Sequence, residues 1–190
     1  AGTELKANSK YLCELDSVAG DGDHGITIGR MADVMKEKTE DTTIDTMRVL
    51  LDELGDAFMG INGGSAGPLW GTVFTGMAEG IDDQAELTDL ELRKMFTQAK
   101  EDFMDISKAK PGDKTMVDAL YPAIDAIIET QGNLKEIMTA AAAAADAGAE
   151  QTSTMVARFG RAKNMGERSI GTKDPGAVSI AILFNGMAQA

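Results

Sequence analysis

TDLELRKMFTQAKEDFMDI, the stretch from Thr88 to Ile106, decides the fold. Thr88 and Glu91 are spaced as a capping box ahead of Leu90, Leu92 and Met95. Beyond it Phe96, Ala99, Phe103 and Ile106 recur at three- and four-residue steps, which aligns them on one face of an α-helix. The same period runs upstream through Met47, Val49, Leu50, Leu54, Ala57 and Phe58. Strand-like alternation is almost absent, and aromatic residues make up only 5% of the chain.

Other start and stop signals divide the rest. Asp113, after the Pro111-Gly112 turn, is expected to cap a helix from Lys114 to about Thr130. Gln131-Gly132-Asn133 reads as a stop and a turn. Asp174 before Pro175 sets a capping carboxylate ahead of a proline at the first helical position. The run Ala140 to Ala145 reads as a small-residue face packed against neighbours. About eight helices with short connections result, without repeat or linker. The predicted class is all-α, an antiparallel bundle or closed helical barrel, as one domain over residues 1–190.

The bulk composition limits the partners. At 190 residues and 43% hydrophobic content the chain can bury a proper core. Eighteen basic residues against thirty-one acidic ones give a net charge of −13. That field disfavours nucleic acid and anionic lipid. It repels a nucleotide equally, so a phosphate site here needs divalent cations or a local basic cluster. Cys13 is the single cysteine, so no intramolecular disulfide or all-thiolate metal site can form; it reads as a buried thiol. Apolar runs such as Ala177 to Phe184 are too short to span a bilayer, and no signal-peptide pattern appears, so a cytoplasmic location is expected. The helical pattern is already under way at Ala1, which leaves room for residues ahead of it.

Three glycine-rich loops interrupt the helical rhythm: Ala19 to Gly25, Gly60 to Gly67, and Gly160 to Gly176. Alternating helices would bring all three near one end of the bundle. The first contains Asp16, Asp21 and Asp23 within eight residues. Gly20-Asp-Gly22-Asp-His-Gly25 matches the dinucleotide fingerprint in letters, but no strand precedes it and its carboxylates would repel a pyrophosphate. An EF-hand fails too, with Ile26 at the sixth position and Ala32 at the twelfth, counting from Asp21.

Asp16 should occupy the last turn of a helix, and alternate residues of an extended loop point the same way, so Asp21 and Asp23 could converge with it. Such hard oxygen ligands on a flexed loop suit Mg²⁺ completed by water and phosphate. The competing reading is a solvated acidic turn capping a helix that starts near Ile26. His24, the only histidine, could be a phosphohistidine, a general base, a ligand or a residue that orients the loop; orientation is the simplest of these.

Asn62-Gly-Gly-Ser65-Ala-Gly67-Pro68 offers close backbone approach and Ser65 as a helix cap, a ready anion site or a tight interhelical turn. No Walker loop occurs. The last loop gathers Arg161, Lys163, Arg168 and Lys173 in an otherwise acidic chain, as basic groups facing an anion or as a solvated loop.

Together these segments resemble the L subunit of dihydroxyacetone kinases, the Dak2-type nucleotide domain. The resemblance rests on Leu15-Asp16 with Gly20 to Gly25, on Gly63-Gly-Ser65-Ala-Gly-Pro-Leu69, on Lys110-Pro-Gly-Asp-Lys-Thr-Met116, and on Gly166-Glu-Arg-Ser-Ile-Gly171 with Asp174 to Ala177. It covers about residues 15 to 177 and implies a barrel of eight antiparallel helices with the nucleotide at one end. It further implies that Asp16, Asp21 and Asp23 hold two Mg²⁺ ions bridging to the diphosphate of ADP or ATP. His24, Gly25, Ile26 and Thr27 would face the phosphates, joined by Ser65 and Ala66. Ser107 and Met116 would border base and ribose, Arg161 would reach the nucleotide, and Asp174, Pro175 and Gly176 would close over it. Ala66 stands where a second serine is common, and Lys163-Asn-Met165 departs from the usual small-aromatic-aliphatic run.

The implied activity is phosphoryl transfer by positioning and charge neutralisation, without a covalent protein nucleophile. In the phosphotransferase-linked branch, ADP stays bound, is rephosphorylated by a phosphohistidine-bearing M subunit, and passes phosphate to dihydroxyacetone on a K subunit. ATP-dependent relatives fuse this domain to a substrate domain that 190 residues do not accommodate. The rival readings are the nucleotide domain of an ATP-dependent ketose kinase, and a Mg-ADP-dependent coregulator of a transcription factor.

Overall fold

The computed structural model describes residues 1–83 and 87–189, and the fold it gives is all-helical. In chain order the α-helices are α1 (Gly2–Ala7), α2 (Ser9–Asp16), α3 (His24–Glu40), α4 (Met47–Met59), α5 (Ala66–Glu79), α6 (Asp89–Ile106), α7 (Val117–Glu129), α8 (Leu134–Gln151) and α9 (Pro175–Ala188). Two 3-10 segments, Thr152–Thr154 and Arg161–Ser169, lie between α8 and α9. No strand occurs among the described residues. The chain divides into two compact units, one of residues 30–108 and one of residues 1–29 with 109–190.

The 30–108 unit is built on α4, α5 and α6. Thr88 and Glu91 form the expected capping box at α6, each side chain taking the other residue's backbone N–H. Leu92, Met95, Phe96, Ala99 and Phe103 are its buried face. On α4 the buried face is Leu51, Leu54, Gly55 and Phe58. Phe58 meets Phe74 of α5 edge-on at 5.0 Å, and Trp70 stacks on Phe74 at 6.3 Å. Two residues expected in these stripes, Met47 and Ile106, are exposed instead, because they stand at the first and last turns. Ser65 is at the N-cap position of α5, but its side chain makes no capping bond, against the expectation that it would.

In the other unit, α9 is the central element. Ala177, Val178, Ile180, Ala181, Leu183 and Phe184 are all buried, and α1, α2, α7 and α8 pack against it. A helix apolar on nearly every side must be covered on nearly every side. Its start follows the sequence: Asp174 accepts the Ala177 N–H at 2.7 Å, with Pro175 at the first helical position. Asn133 and Glu136 make a second capping box at α8. Within the alanine run Ala141, Ala142 and Ala145 are buried, while Ala143 is exposed. Pro122 inside α7 leaves the Asp118 carbonyl without its helical N–H partner. That carbonyl faces Gly148 of α8, where any side chain would overlap it.

The helix expected from Lys114 begins only at Val117, and Asp113 does not cap it. Asp113 accepts the Lys110 N–H at 2.8 Å, while Asp118 accepts those of Gly112 and Thr115 at 2.5 and 2.8 Å. Lys114 has φ +60, which no helical residue adopts, so the turn must finish before α7 starts.

Candidate functional site

α2 ends at Asp16, and the chain turns through a glycine loop into α3 at His24. Gly22 takes φ +76 in that turn, a value that residues with side chains rarely adopt. Asp16 Oδ2 accepts the backbone N–H groups of Asp23 at 3.0 Å and His24 at 3.4 Å. The last carboxylate of one helix therefore satisfies donors at the start of the next. This folds the loop so that Asp16, Asp21 and Asp23 each offer an oxygen within 4.8 Å of the others. The convergence expected from their spacing is present.

The electrostatics of this cluster are uneven. The Arg161 guanidinium pairs with Asp21 Oδ2 and holds that carboxyl below its usual range. Asp23 is pushed up, first by loss of solvent and then by its neighbours Asp21 and Asp16. Three carboxylates with one basic partner are short of positive charge, and a divalent cation would supply it.

α3 packs tightly on α2 where it begins. A methyl on Gly25 would overlap the Ser9 carbonyl oxygen and stand 2.8 Å from both the Cys13 nitrogen and its sulfur. The Cys13 thiol, expected to be buried, is half-buried in this crossing. Gly25 and Thr27 are buried, while Ile26 is exposed.

His24 Nε2 lies 3.1 Å from Ser179 Oγ in α9. Ser179 Oγ also reaches the Gly176 carbonyl at 2.8 Å, which accepts from it. Burial pushes the imidazole pKa down, against the charge of Asp16. The His24–Ser179 bond ties the N-terminus of α3 to that of α9; the first-turn N–H groups of α9 are taken up by Asp174, while Gly25 and Ile26 open α3 without an acceptor among the described residues. At α9, burial raises the Asp174 carboxyl to about 7, opposed by the Ala177 N–H. Met116, at the start of α7, is buried beside Gly176, whose added methyl would meet Met116 Cβ at 3.4 Å.

Most of the expected site residues are thus gathered within one unit: Asp16, Asp21, Asp23, His24 to Thr27, Met116, Arg161 and Asp174 to Gly176. Ser65, Ala66 and Ser107 belong to the 30–108 unit, at the first turn of α5 and the C-cap of α6. The segment from Gly160 onward, expected as a loop, contains a 3-10 helix that breaks at Gly166, φ +56. Two residues missed in the sequence also shape this region: Ser179, three positions after Gly176, and Lys114, next to the Pro-Gly turn.

The sequence profile of the DAK2 domain matches residues 18–189. The chain belongs to the DAK2 domain family. It is 34% identical over 192 residues to the ADP-binding subunit DhaL of the PEP-dependent dihydroxyacetone kinase of Escherichia coli, covering all of this chain and 91% of that one. It is 35% identical to the L-erythrulose kinase of Pectobacterium atrosepticum, covering 96% of this chain and 32% of that enzyme. The dihydroxyacetone kinase of C. freundii superposes with a TM-score of 0.74 at 28% identity, over 99% of this chain and 32% of that one. The same enzyme in complex with AMP-PNP and Mg²⁺ gives a TM-score of 0.73. The chain spans about a third of these longer kinases. This DAK2 chain is therefore a member of a phosphotransferase family, and the all-helical fold is the one its solved relatives share.

No helix among the described residues is long and apolar enough to cross a membrane.

Proposed function

We propose that this DAK2 chain is the nucleotide-carrying subunit of a dihydroxyacetone kinase, a single cytoplasmic domain over residues 1–190. In this reading a tightly held Mg-ADP is phosphorylated by a phosphohistidine donor subunit, and the phosphate passes to dihydroxyacetone on a K subunit. The observation that carries the reading is the meeting of three carboxylates, within 4.8 Å, with Arg161 beside two joined helix N-termini. Carboxylates answer to divalent cations, and free N–H groups with a guanidinium answer to phosphate oxygens.

Asp16, Asp21 and Asp23 would hold two Mg²⁺ ions, which neutralise phosphate charge and orient the transferring group. Gly25 and Ile26 would donate from the first turn of α3, Thr27 follows them with its N–H held by the Asp23 carbonyl, and Pro175 and Gly176 bring the start of α9 alongside. Arg161 leaves Asp21 for a phosphate oxygen. His24 orients these two starts through Ser179 and takes no phosphate itself. Met116 lines the base and ribose. The protein supplies position and charge, with no covalent nucleophile.

The test offers the full chain labelled phosphate by two routes, from a phosphohistidine donor protein and from free ATP, with dihydroxyacetone on its K subunit as acceptor. Label is expected first in nucleotide bound to the chain and then on dihydroxyacetone, with little transfer from free ATP. Robust transfer from free ATP, with ready ADP exchange, would contradict the donor-fed reading. It would assign the chain to the ATP-dependent ketose kinases, a reading favoured by its identity to the erythrulose kinase.

A further inference from the structure

Lys114 combines two unfavourable features. It is a non-glycine residue at φ +60, and its side chain is only 4% exposed. A left-handed backbone strains a bulky residue, and burying an ammonium demands that every proton find an acceptor. All three protons do. Nζ donates to the carbonyls of Ser169 at 2.6 Å, Thr172 at 2.5 Å and Met155 at 3.4 Å.

The acceptors lie at both ends of one arm. Met155 precedes it, and Ser169 and Thr172 follow it. Between them run Arg158, Arg161, Lys163 and Arg168, with Arg161 paired to Asp21. The base of the arm is fastened further by Gly171 N–H to the Ser153 carbonyl at 2.7 Å and by Ala157 N–H to Ser169 Oγ at 2.9 Å. The neighbouring Asp113 holds the same strand of chain, its carbonyl accepting the Arg158 N–H at 3.1 Å. The Lys114 side chain spans the gap from the entry of α7 to both ends.

We infer that Lys114 is a positioning residue for nucleotide binding: it clamps the base of the 156–168 arm and so sets where Arg161 stands. The inference rests on the reading of Arg161 as a phosphate ligand. It acts through Arg161 and the start of α9, and the amine itself touches no nucleotide.

Two variants separate the amine from the backbone. Lys114→Met keeps most of the length without the charge. Lys114→Asn removes the amine in a residue that tolerates the left-handed region. Three quantities are measured on each full-length variant: ADP affinity with Mg²⁺, Mn²⁺ affinity without nucleotide, and tryptic cleavage between Arg158 and Arg168.

Losing three buried donors at one clamp is expected to weaken ADP by about tenfold or more and to speed cleavage in the arm by a similar factor. Mn²⁺ affinity is expected to hold or rise, because the carboxylates stay in place while their competitor Arg161 is loosened. A merely structural role would weaken ADP and Mn²⁺ together, and that result would overturn the inference. So would unchanged ADP affinity, whatever the cleavage rate, or loss of fold in both variants. Failure of the unsubstituted protein to bind ADP would instead sink the nucleotide reading. The cleavage comparison would then still decide whether Lys114 clamps the arm.

Discussion

Replacing Asp21 and Asp23 together by alanine is expected to reduce Mg-dependent ADP affinity by at least about 100-fold, near 2.8 kcal/mol or more. Each supplies one of three oxygens that meet within 4.8 Å, and a cation left with Asp16 alone has lost most of its protein charge. The folded state should not suffer. Asp23 is already raised, first by loss of solvent and then by its acidic neighbours, so removing crowded like charges relieves the nucleotide-free protein, and the Arg161–Asp21 pair is too exposed to matter much. Asp16→Ala should behave differently. Asp16 also takes the N–H groups of Asp23 and His24, so its loss should cost stability by about 1 kcal/mol as well as metal binding. Titration calorimetry with Mg-ADP, beside thermal unfolding of each variant without nucleotide, reads both effects. A double variant that still binds ADP tightly would remove the carboxylates from the site.

Gly25→Ala is expected to be the most damaging single methyl added near the site. The new Cβ would overlap the Ser9 carbonyl and press on the nitrogen and sulfur of Cys13, so α3 must move off α2. Overpacking of this kind costs about 1–3 kcal/mol. Because that crossing positions both Asp23 and the first turn of α3, nucleotide affinity should fall as well. Gly29→Ala, one turn along the same helix, is the control with the opposite sign. Its Cβ would meet Ser9 Cβ at 3.6 Å, an ordinary contact, and replacing a mid-helix glycine by alanine gains about 0.5–1 kcal/mol. Chemical denaturation of the two variants tests the pair. Equal midpoints would contradict the close-crossing account.

What the sequence carried were the local signals. Thr88 with Glu91 and Asp174 with Pro175 cap helices as their spacing requires, and each depends only on residues a few positions apart. The triad Asp16, Asp21 and Asp23 was legible for the same reason, since a glycine turn is short enough to constrain where its carboxylates go. Asp113 misled because several side chains compete for the same turn. The backbone donors of Gly112 and Thr115 went to Asp118, and Lys114 took a conformation that postponed the helix.

The partners of Lys114 are three backbone carbonyls 41 to 58 residues away, and carbonyls carry no sequence signature. Ser179 was hidden likewise, because its pairing with His24 spans 155 positions. Met47 and Ile106 fit their stripes by period but stand at helix ends. The periodicity fixes a face, not how far the neighbouring helix extends.

The most direct measurement is the nucleotide content of the purified, extensively dialysed protein, released by denaturation and identified by chromatography. Near-stoichiometric ADP, absent from the Asp21→Ala/Asp23→Ala variant, is the predicted result. No released nucleotide, and no binding of ADP or ATP when either is added with Mg²⁺, would contradict the account.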